Sequence, residues 1–133
     1  MSYITAKVTH IDTFENINIV QFISNEHSLS MMSLSVSDKI NLGTKVRLAV
    51  KPTHIAIAKN ITGSLSYSNQ LDSTITDIQN GKLLSSVMLK CNDIDFESII
   101  TLNSSIRMNL KVGDNVIALI KASDLSIDEI IDV

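Results

Sequence analysis

The chain is poor in the residues that specialised chemistry depends on. Its 133 residues include one cysteine, one proline, four glycines and no tryptophan. The single cysteine, Cys91, has no partner for an internal disulfide and fits a reducing compartment. Gly43, Gly63, Gly81 and Gly113 are too scattered to make a phosphate-cradling loop. Aromatics are 4% of the chain and the net charge is -3, so the basic surface with stacking rings used by nucleic-acid binders is missing. Tyr3, Phe14, Phe22, Tyr67 and Phe96 do not form a stacking set. No run approaches the roughly 20 apolar residues of a membrane helix. Residues 1–10 lack the apolar core of a signal peptide, so the expected location is cytoplasmic.

A catalytic constellation is also missing. His10, His27 and His54 lie far apart, without a cysteine partner or metal-ligand spacing. Cys91 precedes a turn with no activating base beside it in the sequence, which points to a buried, inert thiol. Asp93 and Asp95 fall in a turn, where carboxylates supply turn chemistry and solvation. The expectation is a protein that is not an enzyme.

What the chain does have is Ile, Val, Thr, Leu and Ser, side chains that suit a pleated surface. Hydrophobic residues make up 44%, enough for a folded core in one ordinary domain or two very small ones. Alternation with a period of two marks residues 3–11, 17–23, 45–51, 73–78, 87–89, 96–100 and 115–121 as strands. His10 and His54 fall in expected strands. Asn25-Glu26-His27, Asn41-Leu42-Gly43, Asn80-Gly81, Asn92-Asp93 and Val112-Gly113-Asp114 separate them as turns. The class is all-β.

The pattern occurs twice. Lys7-Val8-Thr9-His10-Ile11 aligns with Thr74-Ile75-Thr76-Asp77-Ile78, and residues 46–53 align with residues 116–123. Each half then closes on an apolar strand, over residues 54–58 or 124–127. Residues 60–65 supply the linker, giving domains at 1–62 and 63–133. Copies of about 60 residues bury only about 60% of their unfolded surface, so they are expected to pack on each other and on further subunits. Five strands with one short helical turn is the strand count of an OB-type barrel, so two tandem five-stranded barrels are predicted. In the second copy the turn is placed at residues 103–108, with Asn103 or Ser104 as its cap.

Hydroxyls, amides and a lysine gather at strand ends of the second copy: Ser66-Tyr67-Ser68-Asn69, Thr101 with Asn103-Ser104, and Lys121-Ala122-Ser123. Neutral donors with one cation suit a small oxyanion. The same residues also read as a polar linker, a helix cap and a surface lysine, and spacing does not decide between the two.

Three of these segments resemble the molybdate-binding Mop domain. Ser66-Tyr67-Ser68-Asn69-Gln70-Leu71 resembles its opening motif, usually Ser-Ala-Arg-Asn-Gln-Leu. Ile100-Thr101-Leu102-Asn103-Ser104, followed by Leu110-Lys111-Val112-Gly113, resembles its Ile-Thr-x-x-Ser segment and Leu-x-x-Gly turn. Ile120-Lys121-Ala122-Ser123 is similar to its Ile-Lys-Ala-Ser. Val50-Lys51-Pro52-Thr53 makes the first half resemble a diverged copy, as in the two-domain molbindins.

The resemblance implies tandem OB-like TOBE/Mop barrels that bind molybdate or tungstate for storage or homeostasis. The ion would sit between domains of a homo-oligomer, with a trimer suspected. The implied oxyanion-binding residues are Ser66, Ser68, Asn69, Thr101, Ser104, Lys121, Ala122 through its backbone, and Ser123, with Lys51 and Thr53 as first-half counterparts. The dianion would be held by hydrogen bonds, without direct metal ligation. Departures accompany the match: Ser68 stands where the family often has Arg, Tyr67 replaces a small residue, and Leu34 and Ser37 occupy the positions of Thr101 and Ser104. The alternative implied role is a regulatory TOBE pair acting through protein contacts with a molybdate transporter or regulator.

Overall fold

Period-two burial governs the computed structural model, which describes residues 1–132. From Ser2 to Thr9 each second side chain is buried, and the same rhythm runs from Asn69 through the equivalent strand. The first half forms β1 (Ser2–Phe14), β2 (Ile17–Ser24), β3 (His27–Ser33), β4 (Lys45–Val50) and β5 (Ala56–Ala58). The second forms β6 (Asn69–Asn80), β7 (Leu84–Cys91), β8 (Ile94–Thr101), the helical turn α1 (Leu102–Arg107), β9 (Asn115–Ile120) and β10 (Ser126–Asp132). Single 3-10 turns, Pro52–His54 and Ala122–Asp124, follow β4 and β9. No helix among the described residues is long and apolar enough to cross a membrane.

The two sheets are antiparallel, with strand orders β10-β4-β1-β2-β3 and β5-β9-β6-β7-β8. Each therefore takes its fifth strand from the other half, so the expectation that a half closes on its own last strand is corrected. The strands form where alternation places them, but they cross. Pro52 fixes its backbone φ, and bonds from His54 N to Lys51 O (2.9 Å) and Ile55 N to Pro52 O (3.4 Å) turn the chain before β5 begins. That also moves His54 out of its expected strand. A further difference is β3, which the alternation analysis leaves unassigned. Its Leu29 and Met31 are buried, but the run holds no Val, Ile, Thr, Tyr, Phe or Trp to mark it as a strand.

The internal repeat extends to register. Ser2 pairs with Val50 as Asn69 pairs with Ile120, and both long strands carry an irregularity at the equivalent place, Val8/His10 and Ile75/Asp77. Gly43 (φ 87°) and Gly113 (φ 94°) occupy the left-handed region there, sending their N–H groups to Val8 O (2.7 Å) and Ile75 O (2.8 Å). One helical feature is not repeated. The segment matching α1 in the first half is irregular, and its only helical turn is Pro52–His54.

Buried side chains of both sheets form one cluster, including Phe22, Leu48 and Val20 from one and Phe96, Val87 and Ile120 from the other. Two polar side chains join the halves through backbone. Asn69, fully buried, accepts from Ser30 N (2.7 Å) and donates to Ser30 O (2.9 Å) and Ile120 O (3.1 Å), imitating a neighbouring strand on β3. Its equivalent Ser2 accepts from Glu97 N on β8 (3.0 Å). Arg47 fastens β10 onto β4: its Nε and Nη2 donate to Asp128 Oδ2 (2.9 and 2.6 Å), beneath a stacking contact with Tyr3.

The two joints should differ in strength, because Asn69→Ala strands one donor and two acceptors whereas Ser2→Ala strands one donor. Urea unfolding is expected to show a loss of about 2–4 kcal/mol for Asn69→Ala and about 1 kcal/mol for Ser2→Ala. Equal losses would refute the strand-mimic role of Asn69.

Candidate functional site

The two lysine-led turns are the crossing points of the fold. Lys51 and Lys121 end their strands in extended conformation, and His54 N and Asp124 N return bonds to Lys51 O (2.9 Å) and Lys121 O (3.0 Å). The N–H groups of Ala122 and Ser123 come before the return bond and lie outside the turn's own bonding. In the first turn Pro52 has no N–H, so Thr53 alone offers that donor. No side chain caps either turn. Lys51, Thr53, Lys121 and Ser123 are exposed and Ala122 is half-buried.

Each turn rests on the third strand of the other half: Pro52–His54 packs on β8 and Ala122–Asp124 on β3. The turns meet where His54 Nδ1 stands 3.7 Å from Asp124 Oδ1. A depression of about 200 Å³ between them is lined by Lys51 and His54 from one and Ser123 and Asp124 from the other. The arrangement separates two groups of expected residues. Ala122 and Ser123, with Lys121 before them, belong to the turn against β3, while Thr101 and Ser104 follow β8, the strand that carries the first-half turn.

Thr101, rather than Asn103 or Ser104, caps α1. Its extended backbone (φ -69°, ψ 148°) lets Oγ1 accept from Ser104 N at 3.2 Å, and the hydroxyl donates to Ser104 Oγ at 3.0 Å. Arg107 Nη2 also donates to Ser104 Oγ, at 3.3 Å. Ser104 Oγ thus receives two bonds and keeps its own proton for an outside acceptor. Arg107 is missing from the sequence-derived set, although its i+3 spacing from Ser104 on a helical turn could have revealed it. The far end of α1 is held by Lys59, whose Nζ donates to Met108 O (3.2 Å), Asn109 O (2.9 Å) and Asp114 Oδ2 (2.9 Å). Lys111 N donates to the same carboxylate oxygen at 2.9 Å. In the first half, Leu34 is 74% exposed and Ser37 Oγ accepts from Lys39 N at 3.2 Å.

The opening motif divides differently. Ser66 and Ser68 are exposed in the irregular stretch before β6. Asn69 has both amide hydrogens committed to Ser30 O and Ile120 O. Tyr67 is half-buried and lines a depression with Thr53, His54 and Ile100. Asp93 accepts from Asn25 across the two hairpin turns at 2.7 Å. That meeting corrects the expectation of a thiol without a base: His27 Nε2 lies 3.3 Å from Cys91 Sγ, because Cys91 ends β7 and His27 opens β3. Cys91 is nevertheless 2% exposed, and its thiol pKa is raised, chiefly by burial and then by Asp72 and Asp93. No group of three or more His, Cys, Asp or Glu among the described residues could hold a metal ion.

Two antiparallel five-stranded sheets with exchanged closing strands and a lysine-led turn at each crossing define a tandem OB-like barrel protein. The model of the TOBE domain family matches residues 65–127. Over the whole chain the fold is that of the cytoplasmic molybdate-binding protein ModG, solved with molybdate bound. The TM-score is 0.89 at 21% identity, covering 94% of this chain and 93% of that one. A molybdate-binding protein from Sporomusa ovata aligns at 28% identity and a TM-score of 0.44, over 45% of this chain and 90% of that one. No curated protein matches the sequence.

The Lys59–Asp114 joint makes the seat of α1 sensitive to acid. The bonds from Lys59 and from Lys111 N hold the Asp114 carboxyl below the usual carboxylate range. Its contribution is therefore present above the unfolded-state pKa and is lost as pH falls through the lowered folded value. Asp114→Asn should melt below wild type at pH 7, with the gap narrowing below about pH 4. A constant gap across a thermal-melt series would rule this out.

Proposed function

We propose that the chain binds molybdate or tungstate in the cytoplasm, for storage or homeostasis, within a homo-oligomer of trimeric type. Three things support the reading: the ordered motifs of the second half, the TOBE match, and a whole-chain fold shared with a protein crystallised with molybdate. The observation that carries it is the pair of equivalent turns, each offering a lysine, a hydroxyl and at least one backbone N–H donor at a fold crossing.

Assigned by chemistry, Lys121 supplies charge while Ala122 N–H, Ser123 N–H and the Ser123 hydroxyl supply donors. Ser104 supplies a hydroxyl oriented by Thr101, and Arg107 brings a guanidinium to it, a type of donor that Ser68 lacks. Lys51 and Thr53 form the first-half counterpart, with Ser66 and Ser68 as hydroxyls at its edge. Asn69 acts by positioning β6 against β3. A tetrahedral dianion held this way keeps the metal inside its own four oxygens, and cavity size separates it from the smaller sulfate. Nothing in this set activates a nucleophile, so the proposed action is binding rather than catalysis.

Titration calorimetry with molybdate, tungstate and sulfate tests the proposal. Micromolar or tighter binding of the first two and silence with sulfate is the expected result. Lys121→Ala and Arg107→Gln should each weaken binding about tenfold or more, the loss of a charge-assisted bond worth roughly 1.5–3 kcal/mol. Neither heat nor thermal stabilisation with any ion would overturn the reading in favour of the protein-contact role.

A further inference from the structure

Positions 54 and 124 are equivalent in the internal repeat, yet one is histidine and the other aspartate, and the fold places them face to face. His54 Nδ1 and Asp124 Oδ1 are 3.7 Å apart, with side chains 43% and 28% exposed. That separation exceeds a hydrogen bond, so the contact is an ion pair only when the imidazole carries its proton. Both residues line the depression that also holds Lys51 and Ser123. We propose that His54 and Asp124 set the charge of this depression and make oxyanion capture at the two turns pH-dependent, with His54 as a positioning residue.

This inference rests on the oxyanion reading. With the imidazole neutral, Lys51 and Asp124 cancel, and a bare carboxylate faces any incoming dianion. With the imidazole protonated, His54 neutralises Asp124 and the depression is left with the charge of Lys51. Histidine is the side chain that makes this change between about pH 5 and pH 8. Other ionisable groups surround the pair, and an α-amino group also changes charge near neutral pH, so the histidine substitution is what separates the two sources. Lys51 and the amino-terminal Met1 line the same depression, and Tyr67 lines the adjoining one with Thr53 and Asp124. On β8, which carries the first turn, Asp95 and Glu97 line a separate groove with Lys7 and Lys45. On β3, which carries the second, His27 is engaged with Cys91 and Asn92. On β4, Arg47 is bound to Asp128 and Glu129. Lys121 heads the second turn.

The test is molybdate titration of the full chain at about pH 6 and about pH 8, the range in which histidine changes charge. Wild type should bind about three- to tenfold more tightly at the lower pH, the size of a single charge effect in a half-exposed site. His54→Gln should remove the difference. Asp124→Asn should tighten binding at both pH values, a change that loss of structure cannot produce. Flat wild-type affinity, or a pH dependence retained in His54→Gln, overturns the inference and leaves the oxyanion reading intact. Absence of molybdate binding at both pH values overturns the two together.

Discussion

Everything in this fold follows from the exchange of closing strands. Neither sheet is complete without the other half, because β10 pairs with β4 and β5 pairs with β9. A copy of about 60 residues has too little interior to be independently secure. Exchange turns two weak cores into the single cluster that runs from Phe22 to Phe96. The two loans are unequal: β10 contributes seven residues and is fastened by Arg47, whereas β5 contributes three. The shorter strand is followed at once by Lys59, which anchors the linker to the end of α1 and to Asp114. A charged tether at the surface does there what strand length does on the other side.

The exchange also supports the lysine-led turns, to which the proposal above assigns binding. A turn at a crossing is gripped at both ends, by the strand it leaves in one sheet and the strand it enters in the other. Each also rests on a third strand, β8 or β3. Donors mounted on such a segment are preorganised, so little conformational freedom would be lost in closing on an ion. Ser104 is prepared differently, by three residues of one helical turn acting on each other. Thr101 and Arg107 both bond to its oxygen, which aims the remaining proton away from the helix.

Much of this was legible in the sequence, and the failures share one cause. Alternation tells which face of a strand is buried, so residues 3–11 and 115–121 could be placed from Val, Ile and Ala positions alone. Asn25 and Asn92 marked their hairpin turns, where both adopt positive φ (54° and 55°). Alternation does not tell which sheet edge a strand joins, so the crossing of β5 and β10 was hidden. The same blindness to distant neighbours concealed His27 beside Cys91 and the burial of Asn69. The amide of Asn69 bonds to Ser30 O and Ile120 O, partners that only the folded chain brings near it. Arg107 is the exception, since it lay within reach of helical spacing.

The halves have drifted apart in side chains while keeping one geometry, and the contacts between them explain how. Asn69 grips the backbone of Ser30, and Ser2 grips the backbone of Glu97, so neither joint demands a particular side chain at its receiving position. The first half could therefore hold Leu34 where the second holds Thr101, and Pro52 where the second holds Ala122, without loosening the exchange. Pro52 removes one N–H from its turn, and Leu34 removes a hydroxyl, so the donors are concentrated in the second half. That half still depends on the first for support, because Ala122–Asp124 rests on β3. Divergence of the first copy is thus compatible with a working turn in the second, provided that β3 and the crossing strand are retained. The residue that the first copy places in contact with that turn, His54, is where its divergence gains chemical meaning.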